Sequence, residues 1–495
     1  MNFPFRLAAA VVSLGLSSFL ASPALAHAFG QRYDLPAPLG LYLGGAGAAV
    51  ALSFIVMAFV LRGDGTRTFP VVNLSAVPVL GAGAMTAAVL LRVISVAIFL
   101  LVLAAGFLGV QNPLKNFAPT MVWIIWWIGL VIVSALFGDL WKVINPWGVV
   151  FGWVERLIGQ ASPHRRYPEW LGTWPAVALF ALFAWLELVS EVGESPRQLA
   201  YLVVIYSIIT WWGMAVYGRE TWLTRGEAFT VAFSLFARFA PMGAGDTMPG
   251  QHSAPGNWIL RPPAVGLLTA RPVSLSLAAF VLLILSTVTF DGFLETPAWG
   301  ATLQWIAEDA TLRPLLIALQ ESGLNLHKTV KTVALILFPL GFASAFVCFC
   351  FLVAWAGGAP SVRGIAGFFV LTLVPIAIAY HVAHYLSYLL LTGQQIIPLL
   401  SDPFGMGWDI FGTAAYKIDI GIVGAKFVWY LSVVSIVGGH LIAVYLAHIM
   451  ALRVFPTARA ALYSQIPMMV LMVGYTVLSL WILSQPVVET GMPGS

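Results

Sequence analysis

Val333-Ala334-Leu335-Ile336-Leu337-Phe338-Pro339-Leu340-Gly341-Phe342-Ala343-Ser344-Ala345-Phe346-Val347-Cys348-Phe349-Cys350-Phe351-Leu352-Val353-Ala354-Trp355 carries no charge along its whole length. As a helix rising ~1.5 Å per residue, it is long enough to cross a hydrocarbon core of ~30 Å, so it reads as a membrane span. It belongs to an apolar stretch at roughly 330–355, and comparable stretches fall at roughly 38–61, 92–110, 119–138, 174–193, 198–217, 273–290, 365–391, 427–452 and 463–485. Bare backbone polar groups are not tolerated in lipid, so such stretches must be helical, and the period-2 alternation of a membrane barrel is absent. The expected fold is an all-α, polytopic transmembrane bundle of about ten helices in contact with a lipid bilayer.

The composition agrees. Of 495 residues, 60% are hydrophobic and 9% charged, and the mean hydropathy is +0.92; a soluble domain is about a quarter charged. A soluble globular protein, a disordered chain and a nucleic-acid binder are thereby excluded. The formal charge of +4 comes from 24 Lys and Arg scattered between apolar runs; they are topology signals, not a binding face. Cys348 and Cys350 stand i,i+2 inside a span, which supplies neither a disulfide framework nor a CxxC motif.

Arg6, the apolar run from Leu7 to Leu20 and Ser22-Pro23-Ala24-Leu25-Ala26 have the form of a cleaved secretory signal over residues 1–26. Residues 27–495 then form a single integral membrane domain whose N-terminus, His27, starts outside the cytoplasm. With that start, Arg62 and Arg67, then Lys142, Arg156, Arg165 and Arg166, then Arg219 and Arg225 fall on the cytoplasmic side. Residues 227–242 are apolar but short and carry Arg238. Read as re-entrant or interfacial, they keep Arg261, Arg271, Arg363, Arg453 and Arg459 inside as well. Three polar regions then share the outer side: 112–116, 291–327 and 394–426. The Pro- and Gly-rich residues 241–263 are expected as one irregular inner loop.

Polar groups inside spans are costly and therefore point to function. The densest set is Tyr380-His381-Val382-Ala383-His384-Tyr385-Leu386-Ser387-Tyr388. His381 and His384 are i,i+3 neighbours on a helix, and His440 and His448 sit on the next span. Convergence of His381, His384 and His440 suits a divalent metal, zinc or copper, with an open position for water, which the metal would activate as hydroxide. The alternative is that these imidazoles are satisfied by backbone carbonyls and neighbouring hydroxyls. A single haem between His384 and His440 is a further option. Asp291, closing Ser286-Thr287-Val288-Thr289-Phe290-Asp291-Gly292, is a candidate ligand or orienting carboxylate, and Asp402 a second candidate base. His27, as a free N-terminal residue, offers copper an amine and a ring nitrogen. Glu187 and Glu191 stand i,i+4 and read as either a proton path or a hydrated rim, the rim being preferred. No nucleophile elbow, Walker loop, HExxH or dinucleotide fingerprint occurs.

Four pieces of this sequence carry a family likeness: His27-Ala28-Phe29-Gly30-Gln31-Arg32-Tyr33-Asp34-Leu35-Pro36, Thr289-Phe290-Asp291-Gly292, the block from Pro375 through Ala379-Tyr380-His381-Val382-Ala383-His384-Tyr385 to Ser401-Asp402-Pro403-Phe404-Gly405 and Gly407-Trp408-Asp409-Ile410-Phe411-Gly412-Thr413, and the helix with Gly439-His440 and Ala447-His448. They resemble the fenitrothion hydrolase-like family of bacterial polytopic membrane proteins. That resemblance implies a bacterial inner-membrane enzyme hydrolysing organophosphorus triesters or related small apolar esters; the positive-inside reading puts its expected site on the extracytoplasmic side. It carries over no catalytic residue set. Read from the residues alone, a proton- or metal-coupled transporter and a copper- or haem-binding redox protein stand beside the hydrolase.

Overall fold

The computed structural model describes residues 35–60, 69–74, 78–159, 165–244, 258–359 and 361–485. The expected signal segment and His27 lie outside the described residues. The helices longer than about two turns, in chain order among the described residues, are α1 (Leu39–Val60), α2 (Pro78–Leu108), α3 (Phe117–Phe137), α4 (Pro146–Ile158), α5 (Trp174–Leu188), α6 (Pro196–Tyr217), α7 (Ala228–Ala237), α8 (Leu275–Leu294), α9 (Pro297–Glu308), α10 (Arg313–Glu321), α11 (Leu326–Gly357), α12 (Val374–Thr392), α13 (Ala425–Val454) and α14 (Ala458–Leu483). Ten segments, those carrying α1, α2, α3, α5, α6, α8, α11, α12, α13 and α14, are long and apolar enough to cross a membrane, so the chain is a polytopic helical membrane bundle. Their starts follow local chemistry. Ser274, Asn325 and Thr457 accept the backbone N–H of Leu277, Lys328 and Ala460 and so cap α8, α11 and α14.

Burial sorts the spans. The apolar window of the α12 segment is 89% buried and that of α8 67%, against at most 44% for the other eight, so α8 and α12 are the central pair. In α12, Pro375 lacks an N–H and stands at the first helical turn, after a 3-10 stretch from Val370 to Leu373. The antiparallel α13 approaches α12 most closely at Gly439, where a Cβ would stand 2.7 Å from the carbonyl oxygen of Pro375.

One element narrows the sequence expectation, re-entrant or interfacial, and a second departs from it. The apolar segment at 227–242 contains α7, only ten residues long with nine of them buried, so it lies inside the bundle and not along an interface. At ~1.5 Å per residue, it covers about half a hydrocarbon core. Its first turn is capped by the buried Glu227, whose carboxylate accepts the N–H of Phe229 (2.9 Å) and Thr230 (2.7 Å) and the hydroxyls of Tyr206 and Thr230. At its other end the Arg261 guanidinium donates to the carbonyls of Arg238 (3.1 Å), Ala237 and Ala240 (both 3.4 Å). Burial, with the charge of Arg238 adding to it, brings that guanidinium down to about 10. Second, the loop expected to be irregular contributes to a small antiparallel sheet. Its strands β1 (Val72–Asn73), β2 (Met242–Ala244) and β3 (Trp258–Leu260) lie in the order β1-β3-β2, with Leu260 opposite both Val72 and Met242.

Within α3, residues Thr120–Gly129 form a π-helix, a rare widening often found beside functional sites. It presents Trp126 and Trp127 to Phe229 and Phe233 of α7 and Phe183 of α5, in ring contacts of 4.5 to 6.2 Å. This aromatic wall backs the polar groups of α8 and α12.

Candidate functional site

Asp291, near the end of α8, meets the polar block of α12. Its Oδ2 accepts a hydrogen bond from His384 Nε2 at 3.1 Å and a second from the Tyr385 hydroxyl. The rings of His384 and Tyr385 stand edge to face, 4.6 Å apart. Because a carboxylate only accepts, the shared hydrogen sits on Nε2, and Nδ1 is left with a lone pair. That nitrogen has no hydrogen-bond partner among the described residues and is not sealed off; the His384 and Asp291 side chains are 10% and 20% exposed. The pair is therefore an oriented base with an open face. Two residues earlier, Thr289 joins α8 to α14 through the Tyr475 hydroxyl at 2.5 Å.

The expected three-histidine metal centre does not form. His381 donates Nε2–H to the carbonyl of Ile128 in the π-helix at 3.2 Å and stands edge-on to Trp127. His440 donates Nδ1–H to the carbonyl of Ile436 at 2.8 Å and packs its ring against Tyr475. Among the described residues no group of three or more His, Cys, Asp and Glu is placed to hold a metal ion, so this donor set fits neither zinc nor copper. The reason is angular. Residues three apart on a helix differ by about 60° around its axis, and on α12 that offset sends His384 to α8 and His381 to α3. His448 is a structural tie between α13 and α14, its Nδ1–H donated to Gln465 Oε1 at 2.7 Å.

Asp402 also falls outside the site. Its carboxylate accepts the N–H of Met406 (2.9 Å) and Gly407 (2.7 Å), closing a turn in which Gly405 and Gly407 take positive φ. Glu187 and Glu191 part company, because α5 stops at Leu188 and Glu191 opens a 3-10 turn. Glu191 is at the surface, 3.4 Å from Lys328, as a rim residue should be. Glu187 instead faces inward. Together with Trp127, His381 and Tyr385 it lines a cavity of about 20 Å³, room for roughly one water molecule.

Sequence reasoning missed the roles of Trp127, Ile128 and Tyr385. Tyr385 was visible as a polar neighbour of the histidines, but nothing in the sequence marks a π-helix or the carbonyl it turns outward. A second space, an apolar chamber of about 400 Å³, opens between α8, α11, α12 and α14 and is lined by Leu282, Phe342, Phe346, Phe349, Ile376 and Tyr475 among others. Compared with family models, curated proteins and solved structures, the chain finds no match.

Proposed function

We propose that this protein is a membrane-resident hydrolase of neutral, lipid-soluble esters, aryl phosphotriesters among them, with His384 as general base and Asp291 as the group that orients it. The observation that carries this reading is the Asp291–His384 pair with Nδ1 unengaged. Asp291 fixes the tautomer, so the lone pair of Nδ1 faces an incoming water. As the water oxygen bonds to phosphorus, its proton passes to Nδ1, and the positive imidazolium is stabilised by the carboxylate at Nε2. The aryloxide leaves with the electron pair of the broken P–O bond; a nitrophenolate needs no acid to help it go. Tyr385 holds the carboxylate oxygen in place from the other side.

Two further facts support it. Thr289–Gly292 and 380–385, which belong to the pieces that carry the family resemblance, lie far apart in the chain, and Asp291 of the first meets His384 and Tyr385 of the second. The apolar chamber of about 400 Å³ is of a size that takes small apolar ligands, and it abuts α8 through Leu282 and Leu285. In the positive-inside arrangement the Asp291 end of α8 faces outward, which would put the site at the extracytoplasmic surface of a bacterial inner membrane.

The test is turnover of a nitrophenyl phosphotriester by the protein in lipid nanodiscs, followed through nitrophenolate release. His384→Ala and Asp291→Asn are each expected to lower kcat by roughly 10²-fold or more, with KM little changed. Wild-type turnover in a well-folded His384→Ala protein would falsify the proposal.

A further inference from the structure

Glu187 and His381 are not needed for the reaction above, yet both line a water-sized cavity beside the site. His381 has committed Nε2–H to Ile128, which leaves Nδ1 as a free acceptor on a ring bordering that cavity. Across it stands the Glu187 carboxyl, beside the Trp127 indole. Beyond the hydrogen that the Trp127 indole offers Glu187, two acceptors bordering one small space call for a further hydrogen between them. A single water supplies two, and a proton on Glu187 supplies one more. Tyr385 lines the same cavity while its hydroxyl is bonded to Asp291, so this one side chain links the exposed edge of the site to the cavity that Glu187 borders.

We propose that Asp291, Tyr385, the cavity water and Glu187 form an inward proton path, with Glu187 as the proton-storing group and His381 as its positioning partner. A proton arriving on Asp291 passes to the Tyr385 oxygen as Tyr385 releases its own hydroxyl proton to the water. The water passes a proton on to the Glu187 carboxylate. Reversal returns the proton to Asp291. The groups facing this path are Asp291 from α8 and Glu295 at its C-terminal end; His381, His384, Tyr385 and Tyr388 from α12; Lys331 from α11, which acts on Asp291; and Trp127 from α3. From α7 only the uncharged Phe236 reaches the cavity. This is a proton-handling activity beyond ester hydrolysis, and it stands without that reading.

The experiment uses the full chain in nanodiscs. Infrared difference spectra across a pH jump should show a carboxyl C=O band that shifts in deuterated water. The band should vanish in Glu187→Gln, move in Glu187→Asp and move again in His381→Phe, where the hydrogen-bond acceptor is gone. In parallel, a pH dye should record about one proton fewer taken up per molecule in Glu187→Gln than in the wild type. An unchanged band and unchanged uptake in Glu187→Gln would overturn the proposal. If that variant does not assemble, an unmoved band in both Glu187→Asp and His381→Phe overturns it equally. Loss of hydrolysis in His384→Ala leaves these signals standing, so the two readings fail separately.

Discussion

His384 differs from the other helix histidines in which nitrogen it has spent and on what. His381 and His440 each give their N–H to a backbone carbonyl, a bond that holds a ring but lends it no charge. His384 gives its N–H to a carboxylate, and a negative partner is what makes the remaining nitrogen a stronger base. Asp402 has no imidazole partner and only closes a turn. Accordingly Asp402→Ala should leave phosphotriester turnover within about 2-fold of wild type, while Asp291→Asn removes most of it; the same nitrophenolate assay separates the two. Glu227 makes a different residue-scale prediction. Its carboxylate satisfies two backbone N–H groups and two hydroxyls inside the bundle. Glu227→Ala orphans them and should destabilise the protein by about 1–3 kcal/mol, read as a lower thermal midpoint in detergent.

Among the elements, α12 is central because its neighbours come close. Gly439 of α13 faces the backbone of α12 at Pro375 and the Ala379 side chain, and Gly106 of α2 faces the carbonyl of Pro196 in α6. Close approach of backbones through small residues is how helices gain contact in lipid, where apolar burial alone offers little. A bulky side chain at either point must push the two facing helices apart. Gly439→Leu should therefore lower the yield of folded protein and abolish hydrolysis, even though Gly439 touches no polar group of the site; size-exclusion profile and turnover together check it. Substitution at Gly438 is the control, since a Cβ there meets nothing within 4 Å. The π-helix of α3 belongs to this scale too. Its widened turns hand the Ile128 carbonyl to His381 and so fix which way that ring faces.

At the scale of the whole molecule, ten apolar segments and a ten-residue buried helix leave the polar chemistry at one end of α8 and α12. The positive-inside rule predicts that this end, together with α9 and α10, lies outside. In a background lacking Cys348 and Cys350, a Cys at Glu308 should react with a membrane-impermeant maleimide added to intact cells, and a Cys at Arg459 should react only after the membrane is opened. The reverse pattern would invert the bundle and move the site to the cytoplasmic face.

The sequence by itself determined the number of spans, since an uncharged apolar run of about twenty residues has nowhere to go but across a bilayer as a helix. It also marked Asp291, His381 and His384 as residues too polar for their surroundings. It did not reveal which of them meet. An i,i+3 spacing leaves an angle of about 60° between side chains, and the positions of α3 and α8 around α12 decide that one imidazole finds a carboxylate and the other a carbonyl. The break in α5 after Leu188, which turns Glu187 inward and leaves Glu191 at the rim, and the full burial of α7 are likewise set by packing. Hydropathy records whether a residue tolerates lipid; it carries no information about which neighbouring helix will cover it.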